Sequence, residues 1–299
     1  MPDQVLPVIQ PFLDSIKFEK RYSPHTIRSY QDDLFQFFVY LQGQFGDIDL
    51  AGISSSFIRS WLASLKDQKL SSKSIARKIS TLKSFFKYQI RIGLLLKTPV
   101  TNVSAPKIAR RLPYYIEQSE MATLLRHVEF PDSWNGKTDR LILGIFYQTG
   151  MRLNELLNLK ENHIDTVTKS LKVLGKGNKE RILPVSTDLI QQIQLYREGK
   201  QGIQNADIVY LLVNKNGKKL YPKYVYLAVN KYLKQVSTID KKSPHVLRHT
   251  FATHLMSNGA ALNSVKELLG HASLAATQIY THNTIEKLKD IHKKAHPKS

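Results

Sequence analysis

Three prolines at seven-residue intervals, Pro99, Pro106 and Pro113, stand among Lys97, Lys107, Arg110 and Arg111. Each removes a backbone donor and drives the residue before it toward extended geometry. No helix or central strand continues through such a stretch, so the chain must fold as two pieces joined by an extended basic linker. This reading puts a first domain at 1–98, the linker at 99–113 and a second domain at 114–299. A length of 299 residues with 42% hydrophobic composition suits two domains, each with a core.

The hydrophobic pattern before the linker has a helical period. Ser23-Pro24 suits an N-cap and first helical position, and Ile27, Tyr30, Leu34, Phe37, Phe38 and Leu41 follow mostly at three- and four-residue steps. A second amphipathic segment, 72–90, places Ile75, Ile79, Leu82, Phe85 and Phe86 on one face and Lys73, Arg77, Ser80, Ser84 and Lys87 on the other. After the linker, helices are expected at 120–128, 140–147, 153–159, 187–197, 223–236, 244–257, 262–269 and 273–280. Residues 170–185 read as a hairpin turning at Gly175-Lys176-Gly177-Asn178-Lys179. The expected fold class is mainly α: an all-helical first domain and an α-rich second domain with a small antiparallel β-sheet.

Forty-four Lys and Arg against 24 Asp and Glu give a net charge of +20. The surplus is spread, with 14 basic and 8 acidic residues in 1–104 and 30 and 16 in 105–299. Nucleic acid is the commonest polyanion for such a chain, and a membrane surface comes second. Lys73, Arg77 and Lys87 on the second helix, with Arg110 and Arg111 in the linker, are the candidate DNA-binding cations. The longest apolar runs, 141–147 and 208–213, fall far short of the ~20 residues that cross a bilayer. Met1-Pro2-Asp3-Gln4 lacks the basic and apolar regions of a secretory signal, so a cytoplasmic location is expected. Cysteine is absent, which excludes disulfides, zinc–cysteine sites and thiol nucleophiles.

Several segments hold groups capable of chemistry. In Ser243-Pro244-His245-Val246-Leu247-Arg248-His249 a helix begins with His245 and Arg248 on one face, as an anionic oxygen would require, while Leu247, Phe251 and Leu255 form a separate stripe. His245 and His249 have a zinc-compatible spacing. The intervening Val-Leu-Arg supplies no glutamate base and sets a cation beside the metal, so no metal is expected. Arg152 opens a short helix ahead of Glu155, a pair that is ordinarily a surface salt bridge. Lys176 lies between two glycines in a turn that does not close as a Walker loop. Further along come Gly270-His271 and Thr277-Gln278-Ile279-Tyr280-Thr281-His282.

The order Arg152, Lys176, His245, Arg248, His271, Tyr280 carries more than any one motif. Through the stretches 149–156, 175–181, 243–254, 268–273 and 277–282, the chain resembles the tyrosine recombinases, the phage-integrase-like enzymes, and among them the Xer type. The linker and helical N-domain extend the resemblance over essentially the whole chain. Asn154 departs from the small residue the family often has after the first arginine, and Leu112-Pro113-Tyr114-Tyr115-Ile116 is richer in tyrosine than many relatives.

The resemblance implies a core-binding, SAM-like N-domain and a catalytic domain that cuts DNA without a cofactor. It assigns Tyr280 as nucleophile, Arg152 and Arg248 as a phosphate clamp, and Lys176 as the acid for the leaving 5′-oxygen. His245 would take the tyrosyl proton, His271 would hydrogen-bond a phosphate oxygen, and Glu155 would orient the Arg152 helix. The implied function is site-specific recombination that resolves chromosome dimers at cell division. The implied partners are a double-stranded DNA site, further recombinase subunits in a homo- or heterotetrameric synapse, and an FtsK-type DNA translocase. Ile285, Leu288 and Ile291 suggest a C-terminal helix, which the resemblance places on a neighbouring subunit. The alternatives are a mobile-element integrase or invertase, a type IB topoisomerase and a non-catalytic DNA-binding protein.

Overall fold

The computed structural model describes residues 2–47, 49–107, 114–175, 179–270 and 295. The chain divides into two units, Met1–Arg111 and Leu112–Ser299.

The first unit contains α1 (Pro2–Asp14), a π-helical turn (Ser15–Glu19), α2 (Pro24–Phe45), α3 (Ser55–Asp67) and α4 (Ser72–Arg91). The start of α2 follows from its sequence. Ser23 Oγ accepts the Thr26 N–H at 3.2 Å, Pro24 fills the first turn, and Leu34, Phe37 and Leu41 are buried. Helices α1 and α3 were not expected. α1 runs through Pro7 and Pro11, an arrangement that costs about 3 kcal/mol or more per interior proline. Both prolines are exposed, while Ile9, Phe12 and Leu13 on the opposite side enter the core. Their burial offsets the lost hydrogen bonds. Phe12 meets Phe85 of α4 edge-to-face at 5.6 Å, and Phe37 of α2 meets Trp61 of α3 at 5.0 Å.

The proline-rich stretch is not extended from its beginning. Residues 99–102 form a turn, the Val103 N–H donates to the Val100 carbonyl at 3.1 Å, and Val100 and Val103 are buried in the first unit's core. Apolar burial at these two valines overrides the extended bias of Pro99. Residues 104–107 have no regular structure, and Arg110 and Arg111 lie outside the described residues.

The second unit contains α5 (Gln118–Arg126), α6 (Trp134–Thr149), α7 (Leu153–Leu157), β1 (Ile164–Asp165), β2 (Ser170–Leu174), β3 (Glu180–Pro184), α8 (Thr187–Gln201), α9 (Pro222–Val236), α10 (Pro244–Ser257) and α11 (Leu262–Leu269). The apolar run at 141–147 is the middle of α6, buried all round because α8, α9 and α10 pack about it. The expected hairpin is present, with Leu171 opposite Leu183 and Val173 opposite Arg181. β1 adds a short third strand beside β2 that the sequence did not signal. The second apolar run, 208–213, forms no strand or helix; Leu211, Leu212 and Val213 turn inward while Ile208 stays exposed. Among the described residues, no helix is long and apolar enough to cross a membrane.

Candidate active site

Helix α10 starts at Pro244 with Ser243 as the N-cap residue, although the Ser243 side chain makes no capping bond. Leu247, Phe251 and Leu255 are fully buried and fix how the helix is rolled. That roll leaves His245 exposed but buries Arg248, only 5% accessible, so the two are not exposed together as their spacing suggested. The Arg248 guanidinium donates through Nη1 to the Gly150 carbonyl at 2.7 Å and through Nη2 to the Leu269 carbonyl at 2.6 Å. Burial, reinforced by the nearby positive charge of Arg152, lowers its pKa to about 10, so it remains protonated at neutral pH.

Arg152 is the N-cap residue of α7. Its Nη1 donates to Glu155 Oε1 at 2.9 Å and its Nη2 to the Gly270 carbonyl at 3.1 Å. Arg152 and Arg248 thus rest on consecutive carbonyls, 270 and 269, which brings the two guanidiniums to one place. Glu155 is no surface residue. Its carboxylate also accepts the Arg152 backbone N–H at 2.7 Å and a bidentate pair from Arg181 at 2.9 and 2.7 Å. Burial alone would raise its pKa, but these donors outweigh burial and hold it below the usual carboxylate range.

Two glycines make the arrangement possible. Gly150 ends α6 in the left-handed region at φ +57°, and a Cβ there would stand 2.4 Å from Phe251 Cδ1. Gly270 ends α11 at φ +63°, and a Cβ there would stand 3.1 Å from Arg181 Nη1. Only glycine takes these dihedrals without steric cost, and each glycine offers its carbonyl to one of the two arginines.

The rings of His245 and His249 meet edge-on, with centroids 4.6 Å apart. Burial, then the charges of His245 and Arg248, lowers the His249 pKa. Among the described residues no three His, Asp or Glu side chains group as a metal site. His254, further along α10, is a structural residue. Its Nε2 contacts the Ile116 carbonyl at 2.8 Å and its Nδ1 the Tyr147 hydroxyl at 3.1 Å. Lys176, His271 and Tyr280 lie outside the described residues, as do the expected helix at 273–280 and Ile285, Leu288 and Ile291. The hairpin end next to Lys176 is closed by the Gly175 N–H donating to the Lys179 carbonyl at 2.8 Å. Beyond residue 270 only Ala295 is described. It is buried in this chain's own core, and its carbonyl accepts from Asn258 Nδ2 at 2.7 Å, so at this residue the tail packs on its own unit.

On α4, Lys73 and Lys87 are exposed as expected. Arg77 is half exposed but held at its tip by Asp33 and by Ser29 at 2.6 Å. Asp33, buried within α2, also accepts from Lys78 at 2.8 Å and Thr81 at 2.9 Å. Sequence reasoning missed both Asp33 and Arg181. Alternation along β3 was the available signal for Arg181, because it puts this arginine on the same inward face as Leu183.

Residues 114–287 match the phage integrase family, and residues 9–93 match the phage integrase N-terminal SAM-like domain. The chain is 38% identical over 290 residues to the tyrosine recombinase XerC of Staphylococcus saprophyticus, covering 97% of each chain. It is 33% identical to the tyrosine recombinase XerC of Chlorobaculum parvum, covering 97% of this chain and 94% of that one. Among solved structures, a XerH site-specific recombinase in a post-cleavage complex with a palindromic difH substrate superposes with a TM-score of 0.72. The identity is 23%, and the match covers 97% of this chain and 83% of that one.

Proposed function

The chain belongs to the phage integrase family, the tyrosine recombinases, and from that premise we propose that it recombines DNA at a specific site through a 3′-phosphotyrosyl intermediate. The observation that carries this reading is the convergence of the Arg152 and Arg248 guanidiniums on adjacent carbonyls. Each uses part of its five-donor fork on the protein and keeps other N–H groups for an anion. Two fixed guanidiniums neutralise a pentacoordinate phosphorane in fork geometry that lysine cannot reproduce. The partly buried setting strengthens that interaction without reorganisation.

The Tyr280 hydroxyl attacks the scissile phosphorus and gives its proton to His245. The P–O5′ bond breaks, and O5′ takes a proton from Lys176. His271 donates to a phosphate oxygen. The covalent ester conserves the bond energy for religation by the partner strand's 5′-hydroxyl. Exposed Lys73 and Lys87, with Arg77, Arg110 and Arg111, bind the DNA backbone. Kinship to XerC enzymes supports a cytoplasmic role in chromosome-dimer resolution at cell division, within a synaptic tetramer containing this chain or a Xer partner and under an FtsK-type translocase.

The test uses a duplex selected by this protein from a randomised pool, nicked near the cleavage point so that the covalent adduct accumulates. Wild-type protein should form the adduct and Tyr280→Phe should bind the duplex but form none. An adduct with the phenylalanine variant overturns the assignment. Plasmid relaxation and two-site recombination assays on the same preparation separate recombination from topoisomerase activity.

A further inference from the structure

We propose that Arg181 is a positioning residue for the leaving-group acid: it locks the Lys176-bearing hairpin to the helices that hold Arg152 and precede His271. The proposal deepens the recombinase reading and rests on it.

Arg181 lies near the start of β3, just past the turn, and is 5% exposed. All three of its donor nitrogens are spent on other elements. Nη1 and Nη2 grip Glu155 of α7 at 2.9 and 2.7 Å, and Nε donates to the Leu268 carbonyl of α11 at 2.8 Å. The carbonyls of residues 268, 269 and 270 are therefore taken by three arginines in turn: Arg181, Arg248 and Arg152. Three cations at the negative end of α11 make a favourable electrostatic junction. Two of them are the proposed phosphate clamp, and the third belongs to the hairpin.

Val173, opposite Arg181, anchors the strand in the core, but polar help at this end of the hairpin is slight. The other ion pair at this end of the hairpin, Lys172 with Glu180 at 2.8 Å, is 45% and 52% exposed, and a pair so exposed contributes little. Gly175, the residue before Lys176, lies against the buried pair; a Cβ there would stand 3.5 Å from Arg181 Nη1 and 3.7 Å from Glu155 Oε1. The stem on which Lys176 is carried is thus seated on Arg181 and Glu155. Arg152, by contrast, keeps its own bonds to Glu155 and Gly270. Loss of Arg181 should fall on proton donation to O5′ more than on the clamp.

The experiment compares two versions of the selected, nicked duplex: one with the normal 5′-bridging oxygen at the mapped cleavage point, and one with sulfur there. A thiol ionises near about pH 8.5, so a thiolate departs without a proton from Lys176. Arg181→Lys keeps the charge but loses the fork. It should cut the oxygen duplex about 100-fold more slowly in single turnover, the scale of a small misplacement. It should cut the sulfur duplex at close to the wild-type rate, with unchanged affinity. A wild-type rate on oxygen, or an equal loss on both duplexes, overturns the proposal.

Should Arg181→Lys melt early, Arg181→Gln, which leaves Glu155 its two bonds from Arg152, is read by the same ratio below its melting temperature. Lys176→Ala is the control. If sulfur fails to rescue it, or if wild-type protein forms no adduct, the recombinase chemistry itself is at fault. If both controls behave, only the role of Arg181 is being judged.

Discussion

At the scale of single residues, burial decides roles that residue type leaves open. His254 and His245 lie nine positions apart in one motif, yet only His254 has both ring nitrogens engaged inside the protein. The Ile116 carbonyl can only accept, so Nε2 carries the proton and Nδ1 accepts from the Tyr147 hydroxyl. Burial lowers the His254 pKa below its ordinary 6.5, against a smaller opposing effect of the Ile116 carbonyl. The unfolded chain then binds a proton near pH 6.5 that the folded chain refuses. Stability should fall as pH drops through that value and should be fully present above it. Urea midpoints between about pH 7.5 and about pH 5.5 should decline less steeply for His254→Gln than for wild type; equal slopes would show that His254 does not titrate differently on folding. Gly150 is decided by space. Gly150→Ala combines a left-handed dihedral costing about 1–2 kcal/mol with displacement of Phe251, worth a further 1–3 kcal/mol or so. A drop of about 3 kcal/mol in unfolding free energy with an unchanged denaturant slope is the expected result.

At the scale of elements, α4 carries two jobs on one helix. Its apolar face, Ile75, Ile79, Leu82, Phe85 and Phe86, builds the first unit's core, and its charged face presents Lys73, Arg77 and Lys87. In titrations over a salt series, Lys73→Ala or Lys87→Ala should each reduce the slope of log K against log salt by about 0.9. Neither should shift stability by more than about 0.5 kcal/mol. Arg77→Ala should differ by lowering the melting temperature as well, because it strips a donor from the buried Asp33 carboxylate. Equal melting temperatures for all three variants would place Arg77 with the free surface lysines. The same helix shows what was legible. Its period revealed both faces, but Asp33 on α2, which holds Arg77 from 44 residues away, left no local signal. The bounds of α10 were legible from its Ser-Pro start and those of the hairpin from the strand–turn–strand pattern, whereas α1 was hidden by prolines that only its docked face tolerates.

At the scale of the whole molecule, the recombinase reading makes the tail an element whose partner depends on assembly. Ala295 sits in its own unit's core here, while the recombinase reading places the amphipathic segment around Ile285, Leu288 and Ile291 against a neighbouring subunit. A heterologous contact of that kind closes a ring of subunits. Deleting residues from Ile285 onward should leave binding to a single site within a few-fold of wild type, since phosphate contacts dominate that affinity. It should abolish product in the two-site recombination assay. Normal recombination by the truncated chain would remove the tail from the assembly.

The sequence by itself determined the all-helical first unit, the hairpin and the order of the candidate reactive side chains, because caps, periodicity and motif spacing act within a few residues along the chain. Only the tertiary structure decided that Glu155 is buried rather than a surface ion, that Arg248 turns inward, and that Arg181 joins β3 to α7 and α11. Those outcomes depend on partners 26, 98 and 87 residues away, Arg181 for Glu155, Gly150 for Arg248 and Leu268 for Arg181. A buried charge survives only where such partners meet it, and no local pattern announces where the chain will bring them together.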